Sequence, residues 1–250
     1  MLDILREKIT DNVFLYHAQY IFPDRMDKEE KLIKKVGKDS TEKERSGLVV
    51  VGSQVLEQSL DLDFDLLITD LCPMDLLLQR IGRLHRHEKH DSMRPESAKA
   101  ARCLVLGADT SEFEEGAKTI YGEWLLARTK DFLPEKVMIP DDISVLVQKV
   151  YRELKPIERE QEYYEEYCRV KKSKENRAGG FLLNKAKSKR DIHGLLDAGI
   201  TDANAEASVR DGISSIEVIV MIRNKDELFF LPWQNEGAKV SDADILDTSI

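Results

Sequence analysis

Residues 49–87 have the sequence VVVGSQVLEQSLDLDFDLLITDLCPMDLLLQRIGRLHRH. Short apolar runs, GLVVV at 47–51 and DLLITDL at 65–71, lie in and beside this stretch. Runs of this length and composition predict strands that are buried on both faces. Pro73 follows the second run and predicts a helix over 73–78, since proline suits the first turn of a helix. The stretch therefore predicts part of an α/β lobe built on a parallel sheet.

The same alternation of strands and helices continues on both sides of this stretch. The remaining predicted elements of the lobe are strands at 12–17 and 102–106 and a surface helix at 24–36. We expect Asp24 to cap that helix, because an aspartate oxygen can accept the first free backbone N–H groups. The predicted fold class is α/β, with a parallel sheet covered by helices on both faces.

The second half of the chain has a different pattern, with a predicted helical part and a β-hairpin. The predicted elements are helices at 110–129, 141–154 and 156–168, and hairpin strands at 215–222 and 227–231. Between them, residues 169–190 hold nine Lys and Arg against one acid and a Gly-Gly pair, which predicts a mobile or irregular linker. We expect a first domain over 1–130, a helical and basic region over 131–190, and a smaller C-terminal domain over 191–250.

Composition excludes several classes of protein. The net charge is −9, from 38 Lys and Arg against 47 Asp and Glu, which argues against a protein that simply coats nucleic acid. The three cysteines form no CxxC pair, so neither a zinc ribbon nor a disulfide framework is indicated. No apolar run approaches membrane-spanning length. We therefore expect a cytoplasmic protein without a membrane partner.

The strongest chemical signal is QRIGRLHR at 79–86, in which two arginines are three residues apart. On a helical turn, Gln79, Arg83 and Arg86 would project to the same side. Gly82 would remove a side chain where another surface comes close. Two guanidinium groups converging on one point suit a triphosphate during phosphoryl transfer. The alternative is a surface helix with two solvated arginines.

A second signal, SQVLEQSLD at 53–61, follows the predicted strand at 47–51. Ligands bind parallel sheets at the carboxyl ends of their strands, and the hydroxyls of Ser53 and Ser59 could approach phosphate there. Asp61 could hold an arginine or a ribose hydroxyl. The alternative is an ordinary loop between a strand and a helix.

Residues 49–87 resemble helicase motifs V and VI of superfamily 2, and are most similar to the CRISPR-associated helicase-nuclease of type I systems. The phrases EQSLDLDFD and LLLQRIGRLHRH carry this resemblance, together with GKDST at 37–41. Upstream, YHAQY at 16–20 resembles helicase motif IV. Downstream, residues 132–151 and 216–232 resemble the accessory C-terminal domain of that family.

The resemblance implies a role for each matching residue. On a RecA-like lobe, Gln79, Arg83 and Arg86 would complete an ATP site, with the arginines as fingers. Gly82 would support the nucleotide, and Asp61 would support the nucleotide or those arginines. The implied contacts with single-stranded DNA are His17, Ser53, Gln54, Glu57 and Ser59. The implied partners are a first helicase lobe, an HD nuclease domain and an RNA-guided type I surveillance complex, and ATP and Mg would be held mainly by the first lobe.

Several motifs of a complete helicase-nuclease are missing from the sequence. Residues 37–40, GKDS, imitate the end of a phosphate loop, but Leu32 stands where its first glycine belongs. No DExH motif and no HD nuclease motif is present, and His85, His87 and His90 lack zinc spacing. We expect the isolated chain to be inactive and to bind no cofactor tightly. The alternative function is a non-catalytic module that binds the surveillance complex or the other helicase half.

Overall fold

A computed structural model of the protein describes residues 2–57, 60–152, 156, 160–179, 221–224, 227–231 and 237–241. Contacts divide the chain into two units, Met1–Lys155 and Pro156–Ile250. The first unit carries parallel strand pairs and their helices, and the second carries a long helix and a β-hairpin.

The elements of the first unit alternate between strands and helices. In order they are α1 (Leu2–Lys8), β1 (Val13–Tyr16), α2 (Phe22–Val36), α3 (Glu42–Arg45), β2 (Val49–Gly52), β3 (Leu66–Asp70), α4 (Met74–Ile81), β4 (Arg102–Leu106), α5 (Glu115–Tyr121), α6 (Glu123–Asp131) and α7 (Asp141–Tyr151). The second unit contains α8 (Gln161–Gly179), β5 (Ile222–Asn224) and β6 (Glu227–Phe229).

The strands of the first unit pair in parallel, as predicted. β1 pairs with β2, with Val13 opposite Val49, and β3 pairs with β4, with Leu66 opposite Arg102. Over the part of the chain that the structure describes, these are two separate two-stranded sheets. Parallel pairing brings the carboxyl ends of two strands to one edge. The 53–61 segment begins there, directly after β2, whereas the 79–86 segment begins in the last turn of α4.

One face of the β3–β4 pair differs from the predicted arrangement with both faces covered. Four apolar side chains are about half exposed there: Leu66, Ile68, Leu104 and Leu106. Alternate residues of the same strands point the other way, and Thr69 is buried. The continuous apolar run therefore predicted the strand correctly, although only one side of it is covered by the described residues.

Two small cores stabilise the first unit. The first joins β1, α2 and the segment after β2 through buried Tyr16, Leu32, Val36, Val55, Leu60 and Leu62. The second joins α4 to α7 through Met74, Leu78, Leu146 and Val150. The buried positions of α4 follow helical spacing, with Met74, Leu77 and Leu78 on one face. That packing fixes the last turn of α4, where the QRIGRLHR motif at 79–86 begins.

Several helix boundaries differ from the predicted ones, most clearly in three places. α2 begins at Phe22, so Asp24 lies in its first turn rather than at the cap, which is Ile21. The single helix predicted at 110–129 is two helices, because Gly122 adopts a φ of 78° between them, a conformation that glycine tolerates. The helix predicted to end near 168 continues as α8 to Gly179.

The extension of α8 corrects the prediction of an irregular linker over its first part. Arg, Lys and Glu are good helix formers, and they dominate residues 169–175. Residues 180–190 lie outside the described residues. The hairpin prediction is confirmed for β5 and β6, which pair antiparallel with Asn224 opposite Glu227, while residues 215–220 also lie outside the described part.

Candidate functional site

The segment that follows residue 60 and the segment that follows α4 lie side by side. The backbone N–H of Phe64 donates to the Arg83 carbonyl at 2.8 Å, and the N–H of His85 donates to the Phe64 carbonyl at 3.1 Å. These two bonds form a short parallel bridge between Phe64 and Leu84. The structure thus joins the two motifs that the sequence singled out through their backbones.

Asp61 and Arg86 meet across this bridge. The Nε of Arg86 donates to Oδ1 of Asp61 at 2.6 Å, and Nε2 of His87 lies 3.1 Å from the same oxygen. The side chains of Arg86 and Asp61 are 43% and 49% exposed. Burial raises the pKa of Asp61, but the hydrogen bond from Arg86 and the charges of His87 and Arg86 outweigh it, so the pKa lies below its usual value. Asp61 therefore stays ionised beside the arginine.

Arg83 lies deeper than Arg86 and donates through Nη2 to the Glu57 carbonyl at 3.3 Å. Burial lowers the pKa of Arg83, and repulsion from the Arg86 charge lowers it further, while Asp61 opposes this. Two guanidinium groups are thus close enough to repel each other. A multiply charged anion placed between them would relieve that repulsion.

The two arginines do not lie on a helix, in contrast to the prediction. α4 ends at Ile81, Gly82 caps it, and Arg83 and Leu84 follow in a tighter turn. A Cβ on Gly82 would meet only carbonyl oxygens of the preceding turn, at 3.3 and 3.5 Å, so no other described element approaches it closely. Gln79 remains exposed on the last turn of α4.

Residues 82–86, which carry Arg83 and Arg86, are called the arginine turn below. Glu57 and Arg80 form a buried ion pair beneath it. The Nε and Nη2 of Arg80 donate to Oε1 of Glu57 at 2.8 and 2.5 Å, and the Glu57 side chain is 3% exposed. Arg80 also donates to Thr69 Oγ1 at 2.5 Å, and its Nη2 lies 3.4 Å from the hydroxyl of Tyr121. Glu57, expected to contact DNA, is therefore committed to Arg80 in this conformation.

The other expected DNA contacts lie near the carboxyl ends of β1 and β2. Ser53 and Gln54 are exposed, and the Ser53 N–H donates to the Tyr16 carbonyl at 3.2 Å. His17 follows Tyr16, and its ring stacks on Tyr20 with 4.2 Å between centroids. Ser59 lies outside the described residues. The strand ends thus bring His17 and Ser53 to one edge of the sheet.

Sequence reasoning missed a glycine and a buried polar cluster. A Cβ on Gly52 would overlap the side chain of Leu56, so any other residue where the chain turns into the 53–57 loop would force Leu56 to shift. The cluster contains Asp63, His90 and Arg94, all buried, with Arg45 beside them. The available signal was the alternation of acids at 61, 63 and 65, with His90 and Arg94 four residues apart.

The GKDS segment forms no phosphate cradle in this structure. Gly37 ends α2 and bridges to Leu62, and Ser40 Oγ donates back to the Gly37 carbonyl at 2.7 Å. Asp39 pairs with Lys89 at 2.9 Å.

Among the described residues, no group of three or more His, Cys, Asp or Glu side chains could hold a metal ion. None of the helices within the described ranges is long and apolar enough to cross a membrane.

Comparison with known proteins gives consistent matches. Residues 1–89 match the family model "CRISPR-associated nuclease/helicase Cas3, C-terminal". The chain is 40% identical over 234 residues to the CRISPR-associated nuclease/helicase Cas3 of Streptococcus thermophilus, covering 86% of this chain and 25% of that protein. It is 36% identical over 155 residues to the CRISPR-associated endonuclease/helicase Cas3 of Thermus thermophilus, covering 60% of this chain and 16% of that protein.

Solved structures agree with the sequence matches. The crystal structure of T. fusca Cas3-ATP has a TM-score of 0.66 and 31% identity, covering 73% of this chain and 21% of that chain. The chain therefore spans about a quarter or less of the length of the relatives it matches. Its fold is RecA-like, with small parallel sheets and helices. On this evidence the chain belongs to the family of CRISPR-associated nuclease/helicase Cas3 proteins, where it corresponds to part of the C-terminal region.

Proposed function

We propose that this chain is the second motor lobe of an ATP-dependent DNA helicase-nuclease that acts in CRISPR interference. The observation that carries the proposal is the placement of Arg83 and Arg86 on one turn, with Asp61 bonded to the outer arginine. Paired cations at the end of a RecA-like lobe suit the charge that spreads over a transferred phosphoryl group. A module that only docks to other proteins gains nothing from such a pair.

ATP is the nucleotide that we assign to this site. Similar structures include T. fusca Cas3-ATP and T. fusca Cas3-AMPPNP. Arg86 binds Asp61 through Nε and lies 3.4 Å from the Gly82 carbonyl through Nη1, so Nη2 can face a phosphate, and Arg83 lies deeper. Gln79 is exposed just before the turn. The phosphate loop and the carboxylates for Mg would come from the first lobe, because the described residues offer neither.

Single-stranded DNA is the proposed polymer substrate of this lobe. Exposed Ser53 and Gln54, with His17 beside them, offer a hydroxyl, an amide and a ring at the carboxyl edge of β1 and β2. Such groups suit contacts with phosphate and sugar that carry no sequence information. We include Ser59 from the sequence and omit Glu57, since its carboxylate is bound by Arg80. The nuclease domain and the surveillance complex remain proposed partners on family grounds.

The isolated chain is expected to have no ATPase activity. The arginine side of the site is present, whereas phosphoryl transfer also needs a phosphate cradle and a metal. Phosphate release should be measured with single-stranded DNA, for the chain alone and for the chain joined to a first lobe. Hydrolysis by the chain alone that disappears in the Arg83→Ala/Arg86→Ala double variant would contradict this prediction. Restoration by the first lobe, sensitive to the same variant, would support the proposed function.

The basic half of α8 is expected to grip DNA without sequence preference. Nine Lys and Arg against one acid fall in residues 169–190, and the described part of this stretch is helical. Replacing Arg169, Lys171, Lys172 and Lys174 by Gln should flatten the dependence of DNA affinity on salt, by about 0.7 in log-log slope for each lost contact. The control replaces Lys34 and Lys35 of α2. An equal salt slope in both variants would indicate that α8 is only a solvated helix.

A further inference from the structure

Asp63 lies under the arginine turn and is fully buried. Its Oδ1 accepts the backbone N–H of Arg86 at 3.1 Å and Nη2 of Arg94 at 2.9 Å. Its Oδ2 accepts from Arg94 at 3.0 Å and contacts Nδ1 of His90 at short range. One buried carboxylate therefore contacts the peptide of the outer arginine and two side chains that come later in the chain.

The partners of Asp63 are themselves fixed in place. Arg94 also donates to Asp65, and Nη2 of Arg45 donates to Asp65 at 2.8 Å. Burial raises the pKa of Asp63, but the hydrogen bonds from His90 and Arg94 and the charges of Arg94 and Arg45 outweigh it, so the pKa lies below its usual value. A charged group with this many donors can be buried because its loss of hydration is compensated.

The backbone just before Arg86 needs such support. His85 has a φ of 47°, a left-handed conformation that is unfavourable for a residue with a Cβ. Its N–H donates to Phe64, and its Nε2 lies 3.2 Å from the Asp65 carbonyl. This turn directs the next N–H, that of Arg86, towards Asp63. The same turn leaves the Arg86 side chain half exposed on the opposite side, beside Asp61.

We propose that Asp63, held by Arg94 and His90, is a positioning residue that fixes the backbone of Arg86 and thereby the reach of its guanidinium group. This inference rests on the proposed function, in which Arg86 contacts the reacting phosphate. Asp63 itself touches no nucleotide. Its contribution is to hold Arg86 in the productive geometry before the two lobes close, because a displacement of about 1 Å can cost on the order of 100-fold in rate.

The decisive test is a double-mutant cycle in the complete helicase, with Asp63→Asn, Arg86→Ala and both changes together. Steady-state ATP hydrolysis is measured with ATP varied up to saturation and with saturating DNA. Asp63→Asn alone should lower the rate about 10- to 100-fold with the KM for ATP nearly unchanged. In the Arg86→Ala background it should cost less than about twofold, because residues that act through one another are not additive.

The outcomes separate this inference from the proposed function. If Asp63→Asn lowers the rate by the same factor in both backgrounds, Asp63 acts independently of Arg86 and the inference is overturned. If Arg86→Ala alone leaves the rate unchanged, the finger role itself fails. Arg128→Gln provides a matched control, since Arg128 is equally buried but donates to the Val150 and Lys149 carbonyls at the end of α7. It should lower thermal stability without changing the rate.

Hydrogen exchange on this chain gives a second readout that does not depend on activity. Asp63→Asn should speed exchange of the Arg86 amide by about tenfold or more, while the Leu77 amide in α4 should keep its protection. Arg94→Lys, a milder change, should give a smaller effect at the same amide. Equal acceleration at both amides would mean that the variants only loosen the fold, and unchanged exchange at Arg86 would remove the proposed contact.

Discussion

Arg86→Lys in the complete helicase is expected to lower ATP turnover by on the order of 10³-fold, the usual contribution of an arginine finger. Lysine keeps the charge, but it has no Nε that can bind Asp61 while an outer nitrogen faces a phosphate, as the guanidinium has. Nucleotide affinity should change little, because the first lobe holds the ground state and this lobe acts when the cleft closes. DNA unwinding should fail together with hydrolysis.

The measurement pairs steady-state ATPase rates with nucleotide affinity. Arg102→Lys is the matched control, because Arg102 is an exposed arginine on β4 away from the turn. A fall in turnover of less than about tenfold would leave Arg83 as the only finger. A parallel loss of affinity and turnover would show that Arg86 binds the ground state instead.

Arg80→Leu is expected to destabilise the first unit by about 3–5 kcal/mol, a large share of the stability of a domain of this size. Arg80 lies inside the 79–86 motif, yet its side chain pairs with Glu57, whose carboxylate is 3% exposed. Removing the guanidinium leaves a buried carboxylate without its charge partner and also leaves Thr69 Oγ1 without its donor. The effect is on folding rather than on chemistry.

Denaturant unfolding of the chain, followed by circular dichroism, measures this loss. Lys31→Ala, which breaks the exposed pair with Asp27, should change the midpoint very little. The double variant Glu57→Leu/Arg80→Leu should recover most of the stability, because no unpaired charge remains. If Arg80→Leu alone leaves the midpoint unchanged, the pair does not stabilise the fold.

The sequence predicted those parts of the fold that depend on local pattern. The apolar runs at 12–17, 47–51, 65–71 and 102–106 each overlap a strand of the structure, since such runs favour buried strands. Helix ends were less predictable, because they depend on single residues such as Gly122, whose positive φ only the structure reveals. A basic stretch with a glycine pair is typical of a linker, but the Arg, Lys and Glu residues in its first part favour helix, and α8 continues through them to Gly179.

The candidate site was predictable only in part, for a similar reason. Arg83, Arg86 and Asp61 stand out as residue types at a motif spacing, and the structure brings them together. Nothing in the sequence distinguishes Glu57 and Arg80 from exposed charged residues. In the structure the 53–57 loop packs against α4, and the two side chains form an ion pair there. Asp63 contacts Arg94 across 31 residues, a contact that no local pattern specifies. Tertiary packing decides which charged residues face a ligand and which hold the turn.

The backbone bridge between Phe64 and Leu84 has a mechanical consequence. The chain that leaves the exposed Ser53 loop passes through Phe64, and Phe64 is bonded on both sides to the arginine turn. If the segment around Phe64 moves along the bridge with these bonds intact, the arginine turn moves with it. If DNA shifts the first segment and thereby alters nucleotide affinity, linkage requires the nucleotide to alter DNA affinity by the same factor. Binding and release of the DNA strand would then follow the nucleotide cycle, and a few backbone hydrogen bonds would couple the two.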